Sequence, residues 1–198
     1  MRGQIRWLLF FLTVIILFAC DSSRMPTDVR LDTASRHVSN GMKLLDAGKI
    51  EAPLAEFSRA LELEPKYAPA HVGLGLVHGF KSDYYKAMEN MNAADLYAMG
   101  QEQDLLVNIG FMRIFLMGRE QISENWLKKI EERFQKAIQL TPEAPEPYFY
   151  MGLAYKLSLR FDEARKQFIR VIELDKEYVK AAAEEYAIIQ KIERKVSE

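Results

Sequence analysis

The stretch YFYMGLAYKLSLRFDEARKQF, residues 148–168, decides the fold. Tyr148, Met151, Gly152 and Tyr155 fall three or four residues apart, the spacing of one helix face, and Ala164 and Phe168 repeat that spacing after a short polar interruption. The pattern is two amphipathic helices joined by a turn. Small residues at Gly152 and Ala164 let the helices approach closely, and the aromatics fill the space between layers.

Working outward, the same pattern recurs. The positions of Gly41 and Gly75 differ by 34, as do those of Ala60 and Ala94. Gly75 and Gly152, Pro65 and Pro142, and Ala87 and Ala164 are each 77 apart, which is two periods and an insertion of nine. The insertion belongs to the third unit, because Ala94 and Ala137 are 43 apart while Ala137 and Val171 return to 34. In the second unit the spacing predicts helices over residues 69–80 and 84–98, with Lys81, Ser82 and Asp83 between them. Pro65 and Pro142 end units one and three, since proline cannot donate to a continuing helix and disfavours helical geometry just before it. Pro53, early in the first unit's second helix, requires that it lie in that helix's first turn. Met99-Gly100 and Lys176 stand where prolines would end units two and four. No segment shows sustained strand alternation. Residues 178–196 read as one last helix, polar on one face.

A helix-turn-helix period of about 34 residues resembles the tetratricopeptide repeat family. Unit four carries the family's aromatic, large-apolar, glycine, aromatic, alanine and phenylalanine positions at Tyr148, Met151, Gly152, Tyr155, Ala164 and Phe168. Unit two offers His71, Leu74, Gly75, His78, Ala87 and Met91, and unit one His37, Asn40, Gly41, Leu44, Phe57, Ala60 and Pro65. The third unit matches only at Phe134, Ala137 and Pro142, and its first helix fits more than one register. The resemblance implies an all-α, right-handed superhelical solenoid of about four repeats over residues 33–198, closed by a C-terminal capping helix. It also implies a concave groove lined by the first helix of each unit. Carried over position by position, that groove takes Val38, Met42 and Leu45 from unit one and Val72, Leu76 and Phe80 from unit two. Unit three adds Val107 and Phe111, and unit four Phe149, Leu153 and Lys156. This lining is apolar and lacks the lysine and asparagine set with which some family members clamp a C-terminal carboxylate, so an apolar helix or extended segment is the expected partner. The alternative is that these residues pack against one another or against the last helix. Trp126, expected on one helix face with Ile122 in the enlarged third unit, is either an accessory binding anchor or a local packing residue.

Residues 1–19 form a separate object. Arg2 and Arg6 precede the apolar run WLLFFLTVIILFA, residues 7–19, which as a helix covers about 20 Å, short of the roughly 30 Å hydrocarbon core. A basic segment, an apolar segment and small residues before a cleavage point are the parts of an export signal. Leu17-Phe18-Ala19-Cys20 resembles a bacterial lipobox, which implies that Cys20 is a lipid attachment point and that residues 20–32 tether the lipid to the domain. Phe18 is bulkier than the family prefers. The uncleaved alternative is a snorkelling N-terminal anchor.

Of 198 residues, 49% are hydrophobic, enough for a substantial core. With 27 basic against 28 acidic residues no basic stripe is available to neutralise phosphates, which argues against a nucleic-acid partner. A single cysteine excludes an internal disulfide and a thiolate metal cage. His37, His71 and His78 fall where the repeat wants an aromatic between layers, so packing rather than metal ligation is expected, and no cofactor is expected. No phosphate-loop, zinc-protease or serine-hydrolase motif occurs. The reading is a non-catalytic scaffold for protein partners, held at the bacterial cell envelope by an N-terminal lipid, in the inner or the outer membrane. Lipoproteins that pilot secretin assembly in type IV pilus systems, or that dock envelope peptidases or wall hydrolases, share this layout. An envelope enzyme is the rival class.

Overall fold

The computed structural model describes residues 32–197, and among them all regular structure is helical. Ten helices follow in order: α1 Ala34–Asp46, α2 Ala52–Leu63, α3 Ala68–Phe80, α4 Tyr84–Tyr97, α5 Gln101–Met117, α6 Arg119–Ile122, α7 Trp126–Leu140, α8 Pro145–Leu157, α9 Phe161–Leu174 and α10 Val179–Ser197. The helix pairs α1/α2, α3/α4, α5/α7 and α8/α9 are the four units, each packed on the next, and α10 closes the stack against α9 and α8. The lipobox, Cys20 and the export signal lie outside the described residues.

The helix starts have local causes. Thr33 caps α1, its hydroxyl accepting from the Arg36 amide at 3.3 Å, and Asp83 caps α4, accepting from the Lys86 amide at 3.2 Å. Pro53 is the second residue of α2, where its missing N–H costs no helical bond. The turns inside units one, two and four are built alike. Gly48, Ser82 and Leu159 occupy equivalent positions and all adopt the left-handed conformation, with φ of 72°, 60° and 61°. Each donates to the carbonyl three residues back, at Leu45, Gly79 and Lys156, and the residue after each donates to the carbonyl five back, closing the orphan end of the first helix.

Packing within units one, two and four follows one rule. Phe57, Met91 and Phe168 each press onto the glycine sixteen residues earlier, at Gly41, Gly75 and Gly152. The Phe57 ring also lies against Gly73 of the next unit, so closely that a Cβ there would fall 2.3 Å from the ring. A Cβ at Gly41, Gly73 or Gly152 would fall 2.6, 2.3 or 2.6 Å from a phenylalanine ring and force the helices to shift, whereas at Gly75 it would meet the flexible Met91 thioether at 3.0 Å. The place one period beyond Gly152 is held by Tyr186 in α10, so the last helix offers no glycine cleft of this kind to a further unit. Its buried Ala182 and Ile189 pack on Ala164, Phe168 and Val171 of α9, and the Lys156–Glu185 and Arg165–Glu193 ion pairs fasten it to α8 and α9.

The inserted residues form the end of α5, the single turn α6 and the junction before α7. Extended backbone at Ser123 separates Ile122 from Trp126. The expectation that these two share one helix face is therefore corrected: they belong to two helices. Both are half-buried and pack on the core. The Tyr84 hydroxyl donates to the Met117 carbonyl at 2.9 Å and ties the junction to unit two.

Candidate partner-binding groove

The groove residues expected from the repeat pattern divide into three groups. Val72, Leu76 and Phe111 are 0%, 1% and 1% exposed, and Val107, Val38 and Leu45 are buried as well. They are core residues, and Met42 is half-buried beside them. The cause lies in α3, which is surrounded by α1, α2, α4 and α5 and so has almost no open side. Phe111 is covered from α7 by Arg133, whose guanidinium sits 3.7 Å from the ring centroid and makes a two-pronged ion pair with Asp95 at 3.0 and 3.1 Å. The second group, Phe149, Leu153 and Lys156, meets the chain's own end. Phe149 lies 5.0 Å from the Tyr178 ring, Leu153 packs on the cluster that contains α10, and the Lys156 ammonium pairs with Glu185. Only Phe80, 42% exposed at the end of α3, presents a large apolar side chain to solvent.

An open cavity lies on a neighbouring stripe of the same helices. It has a volume of about 420 Å³ and is lined from the first helix of every unit and from none of the second helices. Val38 and Ser39 come from α1, Pro69 from α3, Leu105, Leu106 and Ile109 from α5, and Glu146 from α8. Glu102, in the first turn of α5, stands at its rim. Of the expected set only Val38 takes part. Leu105, Leu106, Ile109 and Glu102 escaped the sequence because α5 is apolar on most of its circumference, so periodicity fixes neither its register nor its open side.

The three histidines have separate partners. His37 Nδ1 lies 2.6 Å from Glu56 Oε2. His71 Nε2 lies 3.1 Å from the Pro65 carbonyl oxygen, and its ring is 5.6 Å from that of Tyr97. His78 Nδ1 is 3.8 Å from Asp83 Oδ2, and burial holds its pKa below the ordinary value of 6.5 against the upward pull of that carboxylate. Tyr178 is pushed above the usual phenol range by burial and by the neighbouring Tyr150 hydroxyl. Among the described residues no group of three His, Cys, Asp or Glu is placed to hold a metal ion. A second cavity, of about 330 Å³ between α4, α5 and α7, is lined by Asp95, Asp104, Asn108, Arg133 and Lys136. Its one buried polar side chain, Asn108, is satisfied by donating to the Asp104 carbonyl at 2.7 Å and accepting from Arg133 at 3.3 Å. That network joins three helices. No described helix is long and apolar enough to cross a membrane.

No protein-family model matches the chain. Human tetratricopeptide repeat protein 6 is 29% identical over 140 residues, 71% of this chain, and the match spans about a quarter of that protein's length. The Pseudomonas aeruginosa pilF structure superimposes with a TM-score of 0.63 at 21% identity, covering 82% of this chain and 69% of that one. A thermophilic TPR protein of Thermus thermophilus gives a TM-score of 0.64 at 19% identity, covering 79% of this chain and 82% of that one. With its helix pairs, glycine clefts and capping helix, the chain is an all-helical solenoid of the tetratricopeptide type.

Proposed function

We propose that the chain is an envelope lipoprotein whose groove between α1, α5 and α8 receives a segment of a partner protein. The observation that carries this reading is the 420 Å³ cavity lined from the first helices of all four units, with Val38, Leu105, Leu106 and Ile109 as its floor. A shallow trough of aliphatic side chains suits a short apolar segment, whose burial yields roughly 25 cal/mol per Å² of apolar surface. Attachment to the membrane rests on the lipobox resemblance at Cys20, and the finer roles in pilus or secretin assembly, or in docking envelope peptidases or wall hydrolases, differ only in the partner that fills the groove.

Ser39 is exposed on α1 and lines the groove, so Ser39→Trp fills it without disturbing the core. Capture from envelope extracts should recover defined partners with the wild-type chain and lose them with Ser39→Trp, while circular dichroism and the unfolding midpoint stay unchanged. Partners retained by a well-folded Ser39→Trp chain would remove the groove from the proposal. A fatty-acid probe should label the wild type and not Cys20→Ala; equal labelling of both would remove the lipid anchor.

A further inference from the structure

Resting on that groove reading, we infer that the segment it binds is cationic as well as apolar: a stretch of partner protein that lays aliphatic side chains on the α1/α5 floor and aims a lysine or arginine at Glu102 and Glu146. The charged side chains among the groove's lining residues are these two, and both are acidic. Each lies in the first turn of its helix, Glu102 in α5 and Glu146 in α8. Acidic residues elsewhere on the domain are commonly used internally: Glu51 by Lys81, Asp95 by Arg133, Glu131 by Arg160, Glu185 by Lys156 and Glu193 by Arg165. Neither Glu102 nor Glu146 is in an ion pair with another described residue. The cation that follows on the same face of α5, Arg113, comes one turn after Ile109 and is held over the Tyr150 ring, 5.6 Å from its centroid. The groove is thus graded, with two carboxylates at the N-terminal ends of α5 and α8, an aliphatic floor, and a cation beyond the floor. Beside a low-dielectric floor a carboxylate attracts a cation more strongly than it would in open water, and it repels an acidic segment.

The test uses the full chain in mild detergent and two synthetic hexapeptides, acetyl-LKLLKL-amide and acetyl-LELLEL-amide, which share one leucine pattern and differ in charge. The lysine peptide should bind at least tenfold more tightly than the glutamate peptide. Its affinity should fall between 50 and 500 mM salt, and Ser39→Trp should abolish it. The double substitution Glu102→Gln, Glu146→Gln should erase the tenfold preference while leaving the unfolding midpoint in place. Equal affinity for the two peptides, no binding of either, or a preference that survives the double substitution overturns the inference. If both peptides bind equally and both are lost in Ser39→Trp, the groove reading stands and the cationic partner falls. If Ser39→Trp leaves the lysine peptide bound, both fall.

Discussion

His71 and Tyr148, two units apart along the chain, do the same work. His71 Nε2 lies 3.1 Å from the carbonyl oxygen of Pro65, and the Tyr148 hydroxyl donates to the carbonyl of Pro142 at 2.9 Å. In both cases the acceptor is six residues back and belongs to the proline that ends the preceding unit, a group no helical N–H can reach. Each ring also packs on another aromatic, His71 on Tyr97 at the end of its own unit and Tyr148 on Phe134 of the preceding unit at 5.5 Å. Imidazole here replaces phenol as a flat ring with a polar tip.

It follows that His71→Tyr should be nearly neutral, within about 1 kcal/mol of the wild type in denaturant unfolding. His71→Ala removes the ring and leaves the Pro65 carbonyl to water, and should cost about 1–3 kcal/mol. A His71→Tyr chain as unstable as His71→Ala would show that the two positions are not equivalent.

Leu159 carries a left-handed backbone, φ 61°, at the turn position that unit one gives to Gly48, and its side chain is 76% exposed. A branched residue pays roughly 1–2 kcal/mol for that conformation, and glycine loses about 0.5–1 kcal/mol through its freer unfolded chain. Leu159→Gly should therefore raise stability by about 0.5–1 kcal/mol, and Leu159→Val should lower it. Thermal unfolding of the two variants checks the sign.

Leu76 and Phe80 sit one turn apart on α3 and should respond very unequally to the same charge. Leu76 is 1% exposed, and a glutamate there is an unpaired charge in the core that should cost several kcal/mol, on the order of 3–5. Phe80 is 42% exposed, so Phe80→Glu should keep its helicity and lose about 1 kcal/mol or less. Circular dichroism on both variants decides it; a stable Leu76→Glu chain would place that face of α3 in solvent.

The pH dependence centres on His78. Because burial lowers its folded pKa below 6.5, the unfolded chain takes up the proton first as pH falls. Stability is then fully present above about pH 6.5 and declines as pH falls through the folded value. Asp83 opposes the shift, so its removal should deepen the decline. Midpoints measured from pH 7.5 to 5 should fall more steeply for the wild type than for His78→Gln, and parallel curves would mean that His78 contributes no linkage.

The four units, the place of the insertion and the position of Pro53 in a first turn were all legible in the order of residues. Helix pairing and turn chemistry act over short stretches of chain, and a repeating period prints those local rules again in each unit. Which side of each first helix stays open was decided only by tertiary structure. The face of α3 that carries Val72 and Leu76 is apolar, as a groove would be, yet α1, α2, α4 and α5 enclose it. Phe111 reads as an exposed anchor until Arg133, from a later helix, is folded over it. Exposure is set by neighbours that are distant along the chain, and a helix apolar on most sides carries no periodic mark of the side left uncovered. The cavity lined by Val38, Leu105, Leu106 and Ile109 with Glu102 and Glu146 exists only once α1, α5 and α8 converge.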